Sequence, residues 1–311
     1  MVKKPKPDLR VEIGSCILEN PVMVASGTFG YAEEFKGFMD LRKLGAIVTK
    51  TITVKPRSGN LPPRTCETPS GMLNSVGLEN PGIGSFIKEK IPFLEDLSIP
   101  IIVSIASEDK PDEFLVLAEL LDRIKAVSAI ELNISCPNIK KDRLISQDAS
   151  ETFNLVKAVR GITGKCLITK LSPNVTSVPE IALAAQEAGS EAVALVNTFI
   201  GMSIDIHKRA SRINSLVGGL SGPAIRPLAV RMVWEVYNKI KVPIIGMGGI
   251  MDIESAIEFV LAGATAVSTG TANFIDPAIS LGIVSGLRKH MEDNNIADLR
   301  EIRGKLKICA D

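Results

Sequence analysis

The chain has 311 residues, more than a minimal domain and about right for one barrel of roughly 250 residues with added loops. Its 36 Lys+Arg against 35 Asp+Glu exclude a global field that would draw it to nucleic acid or an anionic membrane. Hydrophobic residues make up 45%, enough for a large core, yet no run reaches the roughly 20 apolar residues of a membrane span.

The chain starts with Lys3, Lys4, Lys6 and Arg10 and no apolar stretch, so it reads as a solvated tail without a signal peptide. Residues 8–20 (DLRVEIGSCILEN) read as a small hairpin closing the bottom of a barrel. Short Val/Ile-rich runs then alternate with segments of helical period, the pattern of βα units and a parallel sheet. In chain order the predicted strands are Pro21–Ser26, Ala46–Thr51, Pro100–Ser107, Ala129–Cys136, Cys166–Leu171, Ala192–Thr198, Pro243–Gly249 and Ala266–Thr271. Most are apolar throughout, as expected of strands buried on both faces. Helices are predicted between them at Asp112–Val127, Glu151–Arg160, Val178–Ala188 and Ile253–Ala262. Gly189 and Gly263 stand where a glycine C-cap belongs. Residues 52–80 read as a long loop punctuated by Pro and Gly, and a loop of that length is usually functional.

These alternations predict an α/β fold, a closed (β/α)₈ TIM barrel with extended loops at its catalytic face. A doubly wound open sheet is the alternative. No linker divides residues 1–311, so a single domain is expected. The five cysteines, Cys16, Cys66, Cys136, Cys166 and Cys309, include no C-x-x-C pair. That argues against zinc or an iron–sulfur cluster within this chain and fits a reducing cytoplasm.

The polar residues concentrate at the strand ends. These are Ser26, Lys50, Ser104, Asn133, Lys170, Asn197 and Thr198, followed by Gly248-Gly249 and Gly270-Thr271. In such a barrel those ends converge on the one face where active sites form. Lysines and asparagines on apolar strands are costly to bury without partners, so the set points to a ligand site. The alternative is a polar network that merely closes the mouth. Glycines ending the last two strands let backbone N–H groups approach a phosphate, on a substrate or on a cofactor such as FMN. Tight turns that simply need glycine are the other reading. Cys136 opens the polar stretch PNIKKDRLISQD at the same face, a place for a general acid/base or a nucleophile, or for an inert thiol. His207 and His290 lie in charged surroundings and read as surface residues.

Nine stretches together resemble the class 1 dihydroorotate dehydrogenases over nearly the whole chain. They are ASGTFGY (25–31), TKT (49–51), NSVGLENPG (74–82), ELNISCPN (131–138), TKLSPNVT (169–176), VNT (196–198), GGLSGPAIRPLAVRMVWEVY (218–237), GMGGI (246–250) and STGTANF (268–274). The segment from Asn197 through Gly222 is more similar to the B-type enzymes, whose catalytic subunit binds FMN. That type pairs with a second subunit carrying FAD and a [2Fe–2S] cluster and passes electrons to NAD. The resemblance implies a dimer of heterodimers, with oxidation of dihydroorotate to orotate in pyrimidine biosynthesis.

By the same resemblance, Cys136 is the base that takes a proton from C5 of dihydroorotate while hydride leaves C6. Thiolate is the reactive form, so flavin reduction should accelerate with pH until Cys136 is ionised, near ~8.5 for an ordinary cysteine. Lys170 matches the lysine that stabilises charge on the flavin. Lys50, Asn74, Gly77, Leu78, Asn133, Asn197 and Thr198 match substrate-binding positions. Ser26, Lys50, Thr51, Asn133, Lys170, Val196, Gly222, Gly248, Gly249, Gly270 and Thr271 match FMN contacts. Ser104 stands where the family has an asparagine touching the flavin, and its hydroxyl reaches less far. Other readings are an A-type homodimer reducing fumarate, a dihydropyrimidine dehydrogenase, and a non-redox lyase or isomerase barrel acting on a phosphorylated sugar.

Overall fold

A computed structural model describes residues 7–108, 110–135 and 145–307. The chain opens with an antiparallel hairpin, β1 (Val11–Ile13) and β2 (Cys16–Leu18), turning at Gly14 with φ 57°. Next come β3 (Val22–Val24), β4 (Ala46–Val48), β5 (Thr65–Thr68), β6 (Gly71–Asn74), β7 (Ile101–Ile105) and β8 (Val127–Asn133). The later strands are β9 (Cys166–Lys170), β10 (Ala192–Leu195), β11 (Phe199–Gly201), β12 (Ile204–Asp205), β13 (Ala210–Ser211), β14 (Gly218–Ser221), β15 (Ile244–Met247) and β16 (Ala266–Thr269). The helices are α1 (Gly82–Ser85), α2 (Ile91–Asp96), α3 (Asp112–Asp122), α4 (Ala149–Arg160), α5 (Val178–Glu187), α6 (Arg226–Tyr237), α7 (Ile253–Ala262) and α8 (Ile279–Asp293).

Eight strands close a parallel barrel in the order β10-β15-β16-β3-β4-β7-β8-β9, so the open sheet is excluded. Seven predicted strands contain one of them, and the eighth, Ala129–Cys136, overlaps β8, which starts two residues earlier at Val127. Their continuous apolar runs serve two cores, because successive side chains point to opposite faces. On β8, Ala129 packs inside the barrel, while Ile130 and Leu132 pack outward against the helices. The interior is filled by small and flexible residues, including Ala46, Ala194, Met23 and Met247. Ile13, Cys16 and Leu18 of the hairpin join that interior cluster, so the hairpin plugs one end. The strands run parallel, so all their C-terminal ends open at the other end.

Two stretches go beyond the sequence reading. The first βα unit, for which the sequence reading named no helix, holds only 3₁₀ turns, Glu33–Phe35 and Leu41–Lys43. Residues 52–80 are not structureless: β5 and β6 form a hairpin, and β6 pairs with β14 in the sheet β11-β14-β6-β5. This sheet gathers the excursions after β4 and β10. Its strands are short and half-exposed, and Asn74 pairs with Gly219, so no local apolar period announces them. Among the described residues, no helix is long and apolar enough to cross a membrane, and no group of three or more His, Cys, Asp or Glu could hold a metal ion.

Candidate active site at the barrel mouth

Period-two alternation aims the polar strand ends inward. Ala129, Glu131 and Asn133 share the inner face of β8, as Cys166, Ile168 and Lys170 do on β9. At the mouth they meet Thr51 and Ser104, and these are buried almost completely. Asn133 Nδ2 donates to Thr51 Oγ1 at 3.1 Å, and Thr51 Oγ1 lies 2.9 Å from Ser104 Oγ. Ser135 Oγ donates to Asn133 Oδ1 at 3.1 Å and accepts from Asn197 Nδ2 at 2.8 Å. The Thr198 N–H donates to Asn197 Oδ1 at 2.9 Å, and Asn174 Nδ2 donates to the Thr198 carbonyl at 2.9 Å. One chain of hydrogen bonds thus links the ends of β4, β7, β8 and β10.

Lys170 crosses this floor. Its strand lies opposite β3 in the ring, yet its ammonium donates to Ser26 Oγ, just past β3, at 3.1 Å. The charge therefore sits within the barrel, 5% exposed, with Glu131 Oε1 3.8 Å away. That is ion-pair distance and too long for a hydrogen bond. Oε1 is buried and accepts no hydrogen bond among the described residues. Lys50, half-buried, adds a second cation at the end of β4.

Backbone donors complete the mouth. The N–H groups of Gly248, Gly249, Gly270 and Thr271 have no acceptor among the described residues. Gly249, at φ 76°, packs against the carbonyl of Gly222, itself at φ 96°. Gly270 faces open space: a Cβ built there would meet nothing nearer than Ala25 Cβ at 3.9 Å. Val196 is buried, within reach of Gly248. Thr271 Oγ1 donates to Ser221 Oγ at 2.8 Å. Gly77 and Leu78 both have positive φ, 81° and 55°, unusual for leucine, and their N–H groups also lack a described acceptor. Asn74 Nδ2 donates to the Gly219 carbonyl at 3.2 Å, on the four-stranded sheet.

Known proteins give the family. The model for dihydroorotate dehydrogenase matches residues 8–291. The chain belongs to the dihydroorotate dehydrogenase family. It is 50% identical over 302 residues to a protein of Geotalea uraniireducens, covering 97% of this chain and 99% of that one. It is 49% identical over 304 residues to one of Geobacter sulfurreducens and 48% over 302 residues to one of Thermoanaerobacter pseudethanolicus, each with 97% and 99% coverage. All three are named dihydroorotate dehydrogenase B (NAD(+)), catalytic subunit.

Within this dihydroorotate dehydrogenase barrel, Cys136 lies outside the described residues, as does Cys309. Cys16 and Cys166 sit in the interior cluster at the plugged end. Burial, reinforced by the Glu191 carboxylate, pushes their thiols up to about 11 and about 12, so both stay protonated at neutral pH. Three residues of the network escape a reading of strand ends: Glu131, Ser135 and Asn174. Glu131 was visible, because the alternation that selects Asn133 also selects residue 131. Ser135 follows the strand, where alternation no longer applies, and only the folded geometry joins it to Asn197.

Proposed function

We propose that this chain is the FMN-binding catalytic subunit of a B-type enzyme that oxidises (S)-dihydroorotate to orotate, in the biosynthesis of UMP. Electrons would pass to NAD through a partner subunit carrying FAD and a [2Fe–2S] cluster, on a homodimer core that makes a heterotetramer. The observation that carries the reading is the hydrogen-bonded run of Thr51, Ser104, Asn133, Ser135 and Asn197 at the mouth, on strand ends that also carry Lys50 and Lys170. The relatives' shared name, with its NAD(+) and its word subunit, supports the acceptor and the partner.

The residues present fit FMN. Four backbone N–H groups at the ends of β15 and β16, without an acceptor among the described residues, suit a phosphate, and the space in front of Gly270 leaves room for one. Ser26, Thr51, Ser104, Val196 and Gly222 would line the ring system, with Lys50, Asn133 and Lys170 reaching both ring and substrate. When bound, FMN supplies the two-electron acceptor for the hydride from C6.

The protein's part is to bind, orient and move a proton. Asn74, Asn133, Asn197 and Thr198 hold the pyrimidine edge, where amides match alternating C=O and N–H groups. Lys50 and the N–H groups of Gly77 and Leu78 hold the carboxylate. Cys136 takes the proton from C5. Lys170 supplies a fixed positive charge where negative charge develops, a role that a buried ammonium performs better than one in water.

The test is turnover with a choice of acceptors. With an artificial dye as acceptor, the purified chain should make orotate from dihydroorotate. It should use NAD only when its partner subunit is added, and fumarate should not serve. Turnover with fumarate by the chain alone would replace the NAD-linked reading with the A-type one.

A further inference from the structure

Ser135 is almost fully buried, 3% exposed, and its hydroxyl both donates and accepts at the mouth. A serine offers one proton and two lone pairs. The proton goes to Asn133 Oδ1 at 3.1 Å, and one lone pair takes Asn197 Nδ2 at 2.8 Å. The far ends of the two amides are also held. Asn133 Nδ2 donates to Thr51 Oγ1 at 3.1 Å, and Asn197 Oδ1 accepts the Thr198 N–H at 2.9 Å.

An asparagine amide turned by half a revolution keeps its shape and exchanges donor for acceptor. Ser135 touches an oxygen on one amide and a nitrogen on the other. A flip of Asn197 would set its NH₂ against the Thr198 N–H, donor against donor, and a flip of Asn133 would leave the buried Ser135 proton without an acceptor among the described residues. With both amides fixed, each keeps one N–H that has no described partner.

We infer that Ser135 is a positioning residue that sets the polarity of Asn133 and Asn197, so that the pair meets the ligand as hydrogen-bond donors. The inference rests on the dihydroorotate reading and deepens it into specificity. A pyrimidine with carbonyl oxygens along that edge is accepted. One with an exocyclic amine there sets donor against donor and is rejected.

The experiment is an orotate titration of the FMN-loaded protein, followed by the flavin absorbance, with Ser135→Ala, Asn197→Ala and the double variant. Losing the bridge should weaken orotate about tenfold in Ser135→Ala, the usual effect of one hydrogen bond. The loss should fall on KM for dihydroorotate rather than on kcat, in protein that still holds FMN. The double variant should lose less than the product of the single losses, because Ser135 acts through Asn197. Ser135→Thr, which keeps the hydroxyl, should restore most of the affinity. Ser135→Cys, with a weaker donor and acceptor, should show the same loss if the alanine variant does not fold. Orotate affinity within twofold of wild type in Ser135→Ala, or losses that simply multiply, would overturn the inference and leave the dihydroorotate reading standing. A wild-type protein that binds FMN and no orotate would overturn the reading itself.

Discussion

Lys170 and Glu131 bury two charges together without a direct hydrogen bond between them. Removing one partner leaves the other uncompensated in the barrel. Lys170→Met should therefore cost about 3–5 kcal/mol of stability, and adding Glu131→Gln should recover much of it. Urea unfolding of the two variants measures this, and equal stabilities would show that the pair is not coupled. Cys136→Ala should keep FMN and slow its reduction by dihydroorotate at least about a hundredfold, the usual contribution of a general base. A rate near wild type in stopped-flow would remove Cys136 from the proposal. Most of the site was legible in the sequence because a lysine or asparagine at the end of an apolar strand has few reasons to be there. Ser135 was not, since a serine in a loop is ordinary until its neighbours in space are known.

The glycines that end the barrel strands make opposite predictions among the secondary-structure elements. Gly249 sits at φ 76°, and a Cβ there would lie 2.8 Å from the carbonyl oxygen of Gly222, so Gly249→Ala should destabilise the apoprotein. Gly270→Ala has room in the apoprotein and should leave its melting temperature unchanged. It should still bind FMN about tenfold more weakly, as crowding of about 1.4 kcal/mol implies. Calorimetry with and without FMN separates the two, and unaltered FMN affinity in Gly270→Ala would move the phosphate elsewhere. The barrel strands were readable because burial on two faces leaves unbroken apolar runs. The sheet β11-β14-β6-β5 was not, because its pairings join residues as distant as Asn74 and Gly219. Its own strands, such as TCET and GMLN, carry no apolar period.

Closure of the barrel sets how the whole molecule responds to pH. The interior hairpin buries Cys16 and Cys166, whose thiols titrate at about 11 and about 12 against 9.0 for a free one. A group raised in the folded state keeps its proton there and gives it up on unfolding. Its stabilisation is complete below pH 9 and is lost as pH rises through the folded values. Thermal unfolding should therefore shift downward steeply from about pH 9 upward, and a Cys16→Ala/Cys166→Ala variant should flatten that fall. An equally steep fall in the variant would assign the alkaline limit to other groups. Closure itself was legible from eight alternating units, though a count alone admitted an open sheet, and only the pairing of β16 with β3 joins the last strand to the first. The absorption spectrum of the purified protein tests the chemistry at the mouth of that barrel directly. Flavin bands that bleach on anaerobic addition of dihydroorotate are the predicted result. A flavin that stays oxidised, with the partner subunit also present, would contradict it.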